Sequence, residues 1–98
     1  MVKDLYIIGE FQARPGQERA VEAAILKVVP PTRLEATCLG ITAYRSNRDA
    51  ARFFIYSRWR DEAAFEAHAL LPHTVEFLAS IAPLLTHEVE VARLSPIA

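Results

Sequence analysis

The stretch Phe53-Phe54-Ile55-Tyr56-Ser57-Arg58-Trp59-Arg60-Asp61-Glu62-Ala63-Ala64-Phe65-Glu66-Ala67-His68, running on to Pro72-His73, decides how the chain is read. Aromatic and branched residues up to Trp59 predict a buried strand. Asp61 is a good N-cap for a helix whose Ala64, Phe65 and His68 share one face. Pro72 suits the first turn of a second helix, with Val75, Leu78, Ala79 and Ala82 expected on its inner stripe and Pro83 at its end.

The rest of the chain falls into place around that stretch. Residues 5–13 are rich in aromatic and branched side chains and predict a first strand, which Arg14-Pro15-Gly16 ends. From Gln17 the period changes: Val21, Ala24, Ile25 and Val28 recur at helical spacing. Pro30-Pro31 is expected to disturb that helix, with room for one more turn over residues 32–35. Residues 39–46 and 52–58 predict a hairpin joined by the turn chemistry of Asn47-Arg48-Asp49-Ala50. Residues 86–94 alternate, with Val89 and Val91 on one face and Glu88 and Glu90 on the other, and predict the fourth strand.

The order β-α-β-β-α-β is that of a ferredoxin-like α+β fold, helices on one face of a four-stranded antiparallel sheet. Leu5-Tyr6-Ile7-Ile8 and Phe53-Phe54-Ile55-Tyr56 are apolar at both parities, so both sheet faces carry apolar residues. Helices cover only one of them. The other is expected to meet a second copy in a two-fold homodimer, the alternative being a monomer with an apolar sheet face.

Composition narrows the functional classes. Ninety-eight residues, 52% hydrophobic and 23% charged, predict one folded domain over residues 1–98. A net charge of −1 argues against nucleic acid or an anionic membrane as partner. Cys38 is the only cysteine, so no disulfide forms within the chain, and a cytoplasmic location fits. No run is long enough to span a membrane, and no signal pattern opens the sequence.

Trp59-Arg60-Asp61-Glu62-Ala63-Ala64-Phe65-Glu66-Ala67-His68, followed by Pro72-His73 and Phe77, resembles the signature of the antibiotic biosynthesis monooxygenase family. Ala13-Arg14-Pro15-Gly16 and Cys38-Leu39-Gly40 resemble the family in the same order. The resemblance implies a dimeric α+β barrel. It also implies a choice among oxidation of quinols, anthrones or related polyphenols by molecular oxygen without a cofactor, heme degradation, and isomerisation of a signal molecule. The heme-degrading branch relies on an asparagine in the first strand, a tryptophan on the helix after the third strand, and a later histidine. Here the only asparagine is Asn47, His68 stands near the tryptophan position, and Leu78 near that histidine. Ser57 stands where many relatives carry a glutamate, so no role of that carboxylate is carried over.

His68 is the candidate catalytic base, since an imidazole takes a phenolic proton at neutral pH. The alternative is a core histidine satisfied by a backbone carbonyl. Phe11, Tyr44, Tyr56, Trp59, Phe65 and Phe77 read either as the wall of a pocket for a flat aromatic molecule or simply as core, with Tyr44 or Tyr56 as a donor to a substrate oxygen. Tyr56 and Trp59 have opposite strand parity, and the sequence leaves open which parity faces the helices. His73 faces either the helix junction or a ligand. Arg33 is a candidate for an anionic substituent or a solvated residue. His68 and His73 are five apart across a proline, without metal-ligand spacing or a visible acidic partner, so no metal is expected. The functional readings are a cofactor-free monooxygenase acting on a small aromatic quinol or polyphenol, an isomerase using the same base, and a non-catalytic ligand-binding dimer.

Overall fold

The computed structural model describes residues 4–98. Strand β1 (Leu5–Gln12) is followed by helix α1 (Glu18–Arg33), the hairpin β2 (Cys38–Arg45) and β3 (Arg52–Trp59), helices α2 (Glu62–His68) and α3 (Pro72–Ile81), a 3₁₀ turn (Ala82–Leu84) and β4 (Glu90–Leu94). The four strands form one antiparallel sheet in the order β2-β3-β1-β4. This is the ferredoxin-like α+β arrangement, with the two strands that are apolar at both parities at its centre.

Register settles the parity. Leu5 lies opposite Trp59, Ile7 opposite Ser57 and Phe11 opposite Phe53. These odd-numbered residues are buried beneath the helices, whereas Tyr6, Ile8, Phe54 and Tyr56 lie half-buried on the far face. Val21, Ile25, Val28 and Val29 of α1 and Phe77 and Ile81 of α3 close over Phe11, Ile41, Phe53 and Ile55 as the main core. Trp59, fully buried, anchors a smaller cluster with Leu5, Ile7 and Ala64. Helix α2 starts where the sequence predicts, the Asp61 carboxylate accepting the Ala64 backbone N–H at 2.8 Å.

Three expectations are corrected. Helix α1 runs through Pro30 and Pro31 instead of breaking there. The missing N–H groups leave the carbonyls of Leu26 and Lys27 without their helical donors on the exposed side of the helix, while Val28, Val29 and Thr32 keep the inner face packed. The inner stripe of α3 is Thr74, Phe77 and Ile81, not Val75, Leu78, Ala79 and Ala82. Apolar residues occupy two faces of this helix, and the bulkier Phe77 and Ile81 take the core while Val75 and Leu78 are left mainly exposed. The fourth strand begins at Glu90, not Thr86. Between the pairs Ala13–Leu85 and Glu10–Glu90, β1 offers Phe11 and Gln12 while the other side has four residues, 86–89; Thr86 still donates its N–H to the Gln12 carbonyl at 2.9 Å, and the surplus is taken up before Glu90.

Every residue of β4 is exposed, and no helix among the described residues covers the far face of the sheet. Among the described residues, no helix is long and apolar enough to cross a membrane.

Removing the Ile81 side chain should leave a cavity in the main core. Ile81→Ala is expected to lower unfolding free energy by about 2–5 kcal/mol, and Asp61→Ala by about 1 kcal/mol through loss of the cap. Urea unfolding of the two variants at equal protein concentration checks both values.

Candidate functional site

A cavity of about 140 Å³ lies between the sheet and the helices. Ile7, Gly9, Ile55 and Ser57 form its floor, and Val28, Thr32, Phe65, His68, Thr74 and Phe77 its roof. Val89 and Val91 form the wall on the β4 side. The lining is largely apolar, so a polar group there has few competitors for a ligand's hydrogen bonds.

His68 comes to the cavity from the last turn of α2. Its Nδ1–H donates to Oε2 of Glu35 at 2.7 Å, and the same oxygen accepts Nε2–H of His73 at 2.7 Å. A carboxylate only accepts, so the nitrogen facing it carries the proton in each ring. The Thr74 hydroxyl lies 3.3 Å from His68 Nδ1. This cluster joins three elements: Glu35 in the turn after α1, His68 on α2 and His73 on α3. The backbone places Glu35 by closing α1 tightly, its N–H donating to the Thr32 carbonyl and its own carbonyl accepting the Cys38 N–H, both at 3.1 Å. The side chains of Glu35 and His68 are only 11% and 12% exposed, which keeps the contact largely dry.

With Nδ1 committed, His68 Nε2 has no hydrogen-bond partner among the described residues. No buried side-chain nitrogen or oxygen there is left without a partner, so Nε2 is open to a ligand or to water. The ring itself is fixed by stacking. Trp59 lies 4.5 Å away and Phe65 5.9 Å away, centroid to centroid, and the Arg93 guanidinium caps the outer side of Phe65 at 5.3 Å. Trp59 is oriented in turn by its indole N–H, which donates to the Ser57 hydroxyl oxygen at 2.9 Å.

Phe11, Phe65, His68 and Phe77 therefore meet at one cavity. Trp59 stands behind His68 as a support, and His73 reaches the cluster through Glu35 while lining a separate groove between α1 and α3. Tyr44 and Tyr56 lie on the far face of the sheet, opposite Phe54 and Ile8 respectively. The guanidinium of Arg33 donates to the Ile41 carbonyl at 3.1 Å, outside the cavity. Sequence reasoning missed Glu35, and with it the acidic partner judged absent for the two histidines. No local signal marks it, because it is 33 residues from His68 and 38 from His73.

Glu35, His68 and His73 also offer two imidazole nitrogens and a carboxylate oxygen within 4.8 Å of one another, a set able to hold a divalent cation. The two 2.7 Å contacts are those of charge-assisted hydrogen bonds. A cation about 2.0–2.1 Å from each atom would replace both protons and require the side chains to rearrange.

Residues 4–80 match the family described as antibiotic biosynthesis monooxygenase. The chain is 30% identical over 97 residues to Rv0793 of Mycobacterium tuberculosis, which bears a provisional monooxygenase name, covering 99% of this chain and 95% of that protein. The solved structure of Rv0793 superposes with a TM-score of 0.91 at 28% identity, covering 97% and 96% of the two chains. That of PA3566 from Pseudomonas aeruginosa gives 0.91 at 31% identity, covering 98% and 96%.

Nitrogen-15 NMR should find His68 protonated at Nδ1 and His73 at Nε2, with both assignments relaxing to mixtures in Glu35→Gln. Burial pushes the Cys38 thiol above its ordinary pKa, with the Glu35 carboxylate adding to the rise, so less thiolate exists at a given pH. Iodoacetamide is expected to alkylate Cys38 more slowly than a free thiol at pH 8 and at an ordinary rate in urea.

Proposed function

The chain belongs to the antibiotic biosynthesis monooxygenase family, and from that membership and the His68 cavity we propose that it oxidises a small aromatic quinol or polyphenol with molecular oxygen, without an organic cofactor. The observation that carries this reading is the His68–Glu35 contact. It holds the imidazole of a cavity-lining residue with one nitrogen committed to a carboxylate and the other without a hydrogen-bond partner among the described residues. That is the arrangement of a general base held in one tautomer and orientation by a carboxylate.

The chemistry follows from the proton. His68 Nε2 takes the phenolic proton of the bound molecule, leaving an electron-rich anion. The anion passes one electron to oxygen, and the resulting radical and superoxide combine as a new carbon–oxygen bond. His68 returns its proton to the peroxide. For an anthrone-type carbon bearing two hydrogens, one was lost on forming the anion. The O–O bond then breaks as the second leaves, giving a carbonyl and one water. All atoms of the oxygen molecule are accounted for, and no outside reductant is needed. The protein's part is to exclude water, orient the ring and store the proton.

The same cavity supports the isomerase alternative, since a base that removes a proton and returns it elsewhere needs the same parts. It weighs against a site filled by packed side chains, as a purely structural dimer would have.

The second copy is proposed from the far face of the sheet. Tyr6, Ile8, Phe54 and Tyr56 form its apolar centre. Arg58 and Arg52 stack over Tyr6 and Phe54, at 5.6 and 5.4 Å, and pair with Asp4 and Glu10. An aromatic centre with a rim of arginine-containing ion pairs is the anatomy of a protein interface, and this face has no covering element among the described residues. Homodimerisation through it gives the dimeric barrel, and the lone thiol supports a reducing, cytoplasmic setting.

Oxygen uptake by protein stripped with a chelator should rise with added quinol or anthrone above their autoxidation. His68→Gln should reduce this by about 10²–10⁴-fold, the usual contribution of a general base, while light scattering still gives the dimer mass. Uptake that vanishes on chelation and returns with a divalent metal would replace the base by a metal centre. Undiminished activity in His68→Gln would remove His68 from the mechanism.

A further inference from the structure

Both tyrosines lie on the far face of the sheet, so the site described above has a base but no assigned donor for the oxygen that becomes negative when the base acts. The floor of the cavity supplies a candidate. Ser57 sits in β3 between Ile7 of β1 and Ile41 of β2, both buried, and is itself only 4% exposed. It is a polar residue on a floor otherwise made of Ile7, Gly9, Ile41 and Ile55.

Its one hydrogen bond among the described residues is with the indole of Trp59. An indole N–H only donates, so the serine oxygen must accept. Satisfying the buried indole explains one lone pair of Ser57 and leaves its O–H proton without a partner. The other cavity hydroxyls are differently placed. Thr32 donates to the Val28 carbonyl at 2.8 Å, and Thr74 lies within the His68–Glu35 network. A buried O–H without an acceptor is costly, and the remaining space it can reach is the cavity it lines.

We infer that Ser57 donates its hydroxyl proton to the oxygen of a phenolic or enolic ligand, stabilising the oxyanion that His68 creates, and that Trp59 is the positioning residue that fixes both groups. This deepens the aromatic-substrate reading and rests on it. It narrows the ligand class: one ionisable hydroxyl or its carbonyl tautomer on an otherwise apolar ring system, with no charged substituent in the cavity. Accepting from the indole also polarises the serine O–H and strengthens it as a donor. The indole ring in turn stacks on His68, so donor and base are held by one rigid side chain.

The test uses 4-nitrophenol, whose ionisation is read by its colour, with nitrobenzene as the partner lacking the oxygen. Bound to the native dimer, 4-nitrophenol should ionise more readily than when bound to Ser57→Ala, with a difference of about tenfold or more in ionisation constant, the strength of one hydrogen bond to a charged acceptor. Nitrobenzene should bind both proteins equally. Because Ser57→Ala also strips Trp59 of its acceptor, a second reading needs only the native protein. Trp59 is the only tryptophan, so its indole N–H gives a single NMR cross-peak. That peak should move when the phenolate binds and stay still with nitrobenzene. Equal ionisation in both proteins, or an indole signal indifferent to the phenolate, overturns the donor role and leaves the base reading standing if His68→Gln alone weakens phenolate binding. Failure of the native protein to bind 4-nitrophenol, or any larger phenol, sinks the aromatic reading and this inference together.

Discussion

The pairing of β1 with β3 is the constraint from which the rest follows. Once Phe11 lies opposite Phe53 and Leu5 opposite Trp59, strand parity sends every odd residue of both strands toward the helices. That single choice places Ile7, Ile55, Ser57 and Trp59 on the side of the cavity and turns Tyr6, Ile8, Phe54 and Tyr56 away. A slip of one residue in β3 against β1 would put Tyr56 under the helices and expose the indole. The register is strongly specified because each face has its own partner to find: the helices on one side and, in the proposed dimer, a second sheet on the other.

Upon that frame a polar cluster is held where apolar packing would be simpler. The Glu35 carboxylate, with only 11% of its side chain exposed, is kept there by two imidazole N–H groups. Charge-assisted hydrogen bonds offset the loss of water only when the geometry is good, and both contacts measure 2.7 Å. Glu35 also ties the turn after α1 to α2 and α3 through their histidines. The cost of an ionisable group in a nearly dry place is a reason to look for chemistry there rather than for stability.

Much of this was legible in the chain, and the boundary is physical. Aromatic and branched enrichment announced β1 and β3, a period of 3.6 announced α1, and Asp61 announced the start of α2, because these signals are local. Phe77 came through the family resemblance, but Phe65 and His68 were legible as neighbours on one helix face because that spacing, too, is local. Glu35 was not, since its neighbours in space are more than thirty residues away and nothing nearby distinguishes it from a surface glutamate. The tyrosines misled because strands apolar on both faces give no parity signal. Pro30 and Pro31 misled because the packed inner face of Val28, Val29 and Thr32 outweighs the local cost of two prolines, and Leu26 and Lys27 are on the wet side.

The edge strand carries one more consequence, for how the protein is made. Tyr6 pairs with Leu94 and Gly9 with Val91, so β1 finds one of its two neighbours only after the helices and the β2–β3 hairpin between them have been made. Until then β1 keeps an unpaired edge beside an open cavity, with Val89 and Val91 not yet in place as its wall. Such an edge invites pairing with other nascent chains. Biogenesis is therefore the interval in which this protein is most exposed to misassembly, and the five residues of β4 end it.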